Sequence, residues 1–156
     1  MKKRAVQIVC VAGVVVLAVL LRGRKGGGGR EPAPTPEAAV NAMFDAAEQG
    51  DDEAYLALTG GQLERQLRGT RSQEGAEAFR EDLRRSAAGI KGLGVSRAGD
   101  APAGTVALDV EIVFRDRNER QRYLAARVDG GWVITAISVA ATTRPSIPYG
   151  TPVFEE

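Results

Sequence analysis

The stretch Thr105–Phe114, "TVALDVEIVF", decides the fold. Val106, Leu108, Val110, Ile112 and Phe114 alternate with Thr105, Ala107, Asp109 and Glu111. A period of two sends one set to a core and the other to water, so the segment is predicted to be a strand with one wet face. Upstream, the period is helical. "PEAAVNAMFDAAEQG" (36–50) sets Ala39, Val40, Met43, Phe44 and Ala47 on one face. Thr35 is placed to cap that helix, Pro36 suits its first position, and Gly50 stops it. Asp51 caps a second, short helix, "DEAYLALT" (52–59), which buries Tyr55 and Leu58 and ends at Gly60-Gly61. Leu63 and Leu67 lie one turn apart in "QLERQLRG" (62–69). From Ser72, "SQEGAEAFREDLRRSAAG" (72–89) repeats Ala76, Phe79, Leu83 and Ala87 at helical spacing.

Downstream of the deciding strand, "RDRNE" (115–119) turns the chain into "RQRYLAARV" (120–128), with Leu124, Ala126 and Val128 on its apolar side. "DGG" (129–131) is a second turn, and "WVITAISVAAT" (132–142) is a strand apolar on both faces. A Gly-loosened strand, "GIKGLGVSR" (89–97), precedes the set through "AGDAPAG" (98–104). Helices followed by an antiparallel meander predict an α+β domain, its N-terminal helices packed on one curved sheet.

The helix–Gly–acidic–helix opening "PEAAVNAMFDAAEQGDDEAYLAL" (36–58) and the late strand pair ending "DGGWVITAI" (129–137) resemble the nuclear transport factor 2-like superfamily, the cystatin-like α+β cones. The chain is similar there to small membrane-attached bacterial domains of unknown function, over roughly Pro36 to Ala141. The resemblance implies a cone whose sheet wraps the first helix and often encloses a pocket. Phe44, Tyr55, Phe79 and Trp132 are the candidates for its lining, although filling the core is the first account of such aromatics. It further implies a small apolar ligand or a protein partner, and a homodimer through the sheet. The superfamily holds isomerases, dehydratases, cyclases and non-catalytic modules, so the fold alone does not select among them.

The side-chain inventory narrows the chemistry. The chain has no His, the residue best suited to shuttling protons near neutrality. Cys10 is the single cysteine, so no disulfide or thiolate cluster can form within the domain. No Ser or Cys has a base to activate it, no spacing suits a metal, and no cofactor is expected. Asp109 and Glu111 belong to the wet face of their strand and are expected in surface pairs rather than as bases, with Asp109 opposite or diagonal to Arg127. Beyond residue 30, fourteen basic side chains stand against all twenty acids, a balance of −6. That charge, without a basic stripe, argues against a nucleic-acid partner.

The ends carry the remaining signals. Residues 1–4 are a basic tail and 5–21 an apolar run interrupted only by Gln7. Seventeen residues rise roughly 25 Å as a helix, at the short end of what spans a bilayer. Arginines occupy the place of a cleavage site, and Cys10 sits too early in the run for lipidation, so the run is expected to persist as a transmembrane anchor in contact with membrane lipid. Basic residues flank it on both sides. The short N-terminal tail favours retention inside, which puts the domain on the extracytoplasmic side of the cell membrane. Residues 22–35 read as a Gly/Pro-rich linker, 36–142 as the domain, and 143–156 as a Pro-rich tail. The expectation is a single-pass, membrane-anchored, non-enzymatic binding module. The alternatives are a small isomerase- or cyclase-like enzyme using a buried carboxylate and an envelope accessory protein that oligomerises through its sheet.

Overall fold

Helices α1 (Pro36–Gln49), α2 (Asp52–Ala57), α3 (Gly61–Glu74) and α4 (Ala76–Ala87) precede strands β1 (Gly92–Arg97), β2 (Thr105–Val113), β3 (Asn118–Val128), β4 (Gly131–Ile137) and β5 (Ala141–Thr143). The computed structural model describes residues 32–144. The expected anchor at 5–21, most of the linker and the tail from residue 145 lie outside the described residues. Among the described residues no helix is long and apolar enough to cross a membrane.

Local chemistry sets the helix ends. The Ala38 N–H donates to Thr35 Oγ1 at 3.1 Å and the Ala54 N–H to Asp51 Oδ1 at 2.9 Å, so both expected caps form. Gly50 ends α1 in the left-handed region, φ +66°, where a side chain would also strike the Arg84 guanidinium. The sequence places a break between Gly69 and Ser72, but α3 runs unbroken to Glu74 and the break falls at Gly75, φ +92°. No α3 residue is fully buried, so its apolar spacing carried little information about its end.

The sheet is the expected antiparallel meander, β1-β2-β3-β4, with β5 pairing the start of β3. Because β2 occupies the other edge of β3, β4 and β5 lie end to end along one edge. A bulge between Leu124 and Ala125 bends the β3–β4 pair. Their hairpin closes on Asp129 (φ +48°) and Gly130 (φ +84°), the two left-handed residues of a tight primed turn. The far edge of β4 is also covered. The Trp132 N–H donates to the Ala33 carbonyl (3.0 Å), and the Ile134 N–H to that of Leu58 (2.8 Å); the Gly60 N–H donates to the Ile134 carbonyl (2.9 Å). Such coverage protects an edge strand from foreign pairing.

Two expectations about β3 are corrected. The β2–β3 turn tightens on Phe114–Arg117, closed by the Phe114 N–H on the Arg117 carbonyl at 2.8 Å, about two residues earlier than "RDRNE" suggests. Asp109 therefore faces Arg122, not Arg127. Inward from β3 point Tyr123 and Ala125, while Leu124, Ala126 and Val128 do not supply its core face and Val128 stands 49% exposed.

Helix α1 lies on the sheet, α4 packs on α1, and α3 runs beside β4. Ala39, Val40 and Met43 of α1 share one core with Leu93, Leu108, Val110, Ile112, Tyr123 and Ile134. A second cluster, Ala47, Leu56, Phe79 and Leu83, joins α1, α2 and α4. The Glu37 carboxylate of α1 meets Arg97 of β1 at 2.6 Å and ties the first helix to the sheet edge.

Candidate functional site

Because β2 sends Leu108, Val110 and Ile112 to the helices, it leaves Asp109 and Glu111 on the opposite face. Register builds two cross-strand rows there: Gly94, Glu111 and Arg120, then Ser96, Asp109 and Arg122. The small residues of β1 keep that side low, and the exposed Ser138, Val139 and Ala141 raise the other. Between them lies an open groove of about 560 Å³ to which no helix contributes a wall.

The charges in the groove are already matched. Arg122 donates from Nε to Asp109 Oδ1 at 2.9 Å and from Nη2 to Oδ2 at 3.4 Å, a forked pair, while its Nη1 stands 3.4 Å from Asp100. Glu111 accepts from Asn118 Nδ2 at 3.1 Å and Arg120 Nη2 at 3.5 Å. The Arg122 N–H donates to Ser138 Oγ at 2.8 Å, fixing the groove's raised wall. The result is a row of paired guanidinium donors and carboxylate acceptors with a hydroxyl beside them, exposed and able to hydrogen-bond a polar surface.

The aromatic candidates separate in space. Phe44 and Tyr55 both pack against the main core, Tyr55 against the second cluster as well, and the Phe44 and Tyr123 rings stand 6.3 Å apart with a 40° tilt. Tyr123 donates to Gln121 Oε1 at 2.9 Å. Burial pushes the Tyr55 hydroxyl up to about 12; burial, then the neighbouring Tyr55, moves Tyr123 the same way. Phe79 belongs to the other cluster, among the helices. Trp132 packs partly against the main core and lines a cleft of about 310 Å³ with Pro32, Ala33 and Leu58. These four side chains therefore do not converge on one pocket.

No local motif marks Asp52 in the sequence, yet it is only 3% exposed. Arg80 of α4 donates from Nε to its Oδ1 at 2.8 Å, and Nε of Arg71 in α3 stands 2.5 Å from Oδ2 as a charge contact without hydrogen-bond alignment. Burial alone would raise the Asp52 carboxyl; the Arg80 hydrogen bond and the charges of both arginines outweigh it and hold the group below the ordinary aspartate value. A general base near neutrality requires the opposite shift. The clamp joins three helices, and its partners stand 19 and 28 positions along the chain, beyond any local motif. Among the described residues no group of three or more His, Cys, Asp or Glu side chains is placed to hold a metal ion.

No family model, no curated protein and no solved structure matches the chain.

Proposed function

We propose that the chain is a single-pass, membrane-anchored binding module with a nuclear transport factor 2-like fold, non-enzymatic and extracytoplasmic, and that it engages a protein partner through the open face of its sheet. The groove across β1, β2 and β3 carries this reading. Helices cover one face of the sheet, and the other presents about 560 Å³ of concave space of mixed apolar and charged lining, in which Arg122 is paired with Asp109. Preorganised donors and acceptors lose little freedom on association, and paired charges favour a complementary partner over others. The apolar run 5–21 with basic flanks supports the anchor, and the absence of His together with the clamped state of Asp52 supports the non-enzymatic character.

Photo-crosslinking of the full chain in its own membranes tests the proposal. A photoreactive residue replacing Ser96 on the sheet face should give one discrete adduct that Arg122→Glu abolishes, and the same group replacing Gln66 on α3 should give none. An adduct at twice the chain's mass would identify the partner as a second copy. Equal labelling from Ser96 and Gln66, or none from either, contradicts a sheet-face module.

A further inference from the structure

We infer that the β3–β4 hairpin end of the domain, centred on Trp132 and Val128, beds against the headgroup region of the membrane that carries the anchor. This rests on the anchor reading and adds an orientation to it. The chain enters the fold at this end: Pro32 packs on Gly131, and the Ala33 carbonyl accepts from the Trp132 N–H at 3.0 Å. Only residues 22–31 separate Pro32 from the apolar run. Ten residues reach at most roughly 33–36 Å at full stretch, little more than the roughly 30 Å across a domain of this size, so another end could face the membrane only with the segment fully drawn out. The hairpin end is thus the one held nearest the bilayer.

Its chemistry fits that position. Pro32, Ala33, Ala57, Val128, Trp132 and Val133 line one shallow cleft of about 310 Å³. Val128 and Val139 are the large hydrophobics that stand exposed among the described residues, and Val128 lies here. Tryptophan favours the membrane–water interface, where its ring is half apolar and its N–H stays wet. Arg127, directly across from Trp132, makes no ion pair among the described residues and can reach a lipid phosphate. Asp129 in the turn and Glu64 at the cleft rim are the facing acids, and Glu64 is held by Arg68 at 2.8 Å. The β1–β2 loop reaches the same end, and its Asp100 stands 3.4 Å from Arg122. The orientation leaves the groove between β1 and β3 open to partners.

Trp132 is the single tryptophan of the chain and reports on this surface without labelling. The full chain is reconstituted into vesicles of phosphatidylcholine and phosphatidylglycerol carrying a nitroxide either near the headgroup or deep in the acyl chains. Shallow nitroxide should lower Trp132 emission about twofold and deep nitroxide much less, as for an interfacial indole. The pair Arg127→Glu with Val128→Asp should abolish most of that quenching while flotation with the vesicles is unchanged. Val139→Asp, 94% exposed and away from this end, should leave it intact. A chain that floats but shows unaltered emission with shallow nitroxide overturns the docking and leaves the anchor standing. A chain that does not float overturns both.

Discussion

Asp52 connects α2 to α3 and α4 through Arg71 and Arg80, and its carboxylate is the charged group most withdrawn from water among the described residues. Asp52→Asn should cost about 3 kcal/mol in chemical denaturation, the low end for a broken buried pair because both arginines retain water access. The pH dependence has a definite sign. The folded carboxyl titrates below the ordinary value of 3.8, so its contribution is complete above that value and is lost as pH falls through the lower folded one. Wild-type stability should decline more steeply than that of Asp52→Asn in that acid range. On the alkaline side, burial carries Tyr55 to about 12, and the stability this hydroxyl confers disappears as pH rises from 10 through that value. The absorbance difference between wild type and Tyr55→Phe should show no tyrosinate from this group until about pH 12. Residue by residue, legibility followed range. Thr35 and Asp51 were legible as caps because each acts on an amide three positions away. Asp52 was not, because its partners come from other helices. Asp109 was legible as a surface-pair acid, but its partner depended on a turn whose position the sequence left open by two residues.

Helix α1 is bounded by chemistry visible in the sequence, and Gly50 tests its end. At φ +66° an L-residue is strained, so Gly50→Ala should destabilise by about 1–2 kcal/mol before the contact with Arg84 is counted, read as a lowered urea midpoint with unchanged slope. Helix α3 is the contrasting case. It has no fully buried residue and leans on Leu63, Leu67 and the Arg71 contact to Asp52, so it is the helix most easily opened. Hydrogen exchange should proceed faster along α3 than along α1, whose Ala39 and Val40 are sealed; equal protection would contradict the packing described. Helices with a strong apolar stripe were legible in type and extent, whereas α3, with two leucines among polar residues, was legible in type only. In the sheet, the alternation of β2 fixed its inner face because valine, leucine and isoleucine oppose acids. β3 offered Tyr123 and Ala125 against Leu124 and Ala126, similar in apolar character, so side-chain type could not choose the face and register decided it.

The molecule as a whole is charge-divided and two-faced. Seven basic residues and no acid occupy positions 1–30, while the acids lie in and around the folded body. That body closes one sheet face with α1 and shields the outer edge of β4 with Ala33 and Leu58–Gly60. The face left open carries the groove. The order of elements and the α+β class were legible from the change of period between residues 89 and 105; the groove was not, because its walls depend on the register of three strands and on the path of Ser138–Ala141. We propose that this face is where a partner binds. In a Cys10→Ser chain, single cysteines replacing Ser96, Ser138 or Gln66 allow maleimide labelling rates to be compared between native membranes and the purified chain. Positions 96 and 138 should label several-fold more slowly in membranes and recover on purification, while position 66 should label at one rate throughout. Equal rates at positions 96 and 138 in the two settings would contradict it.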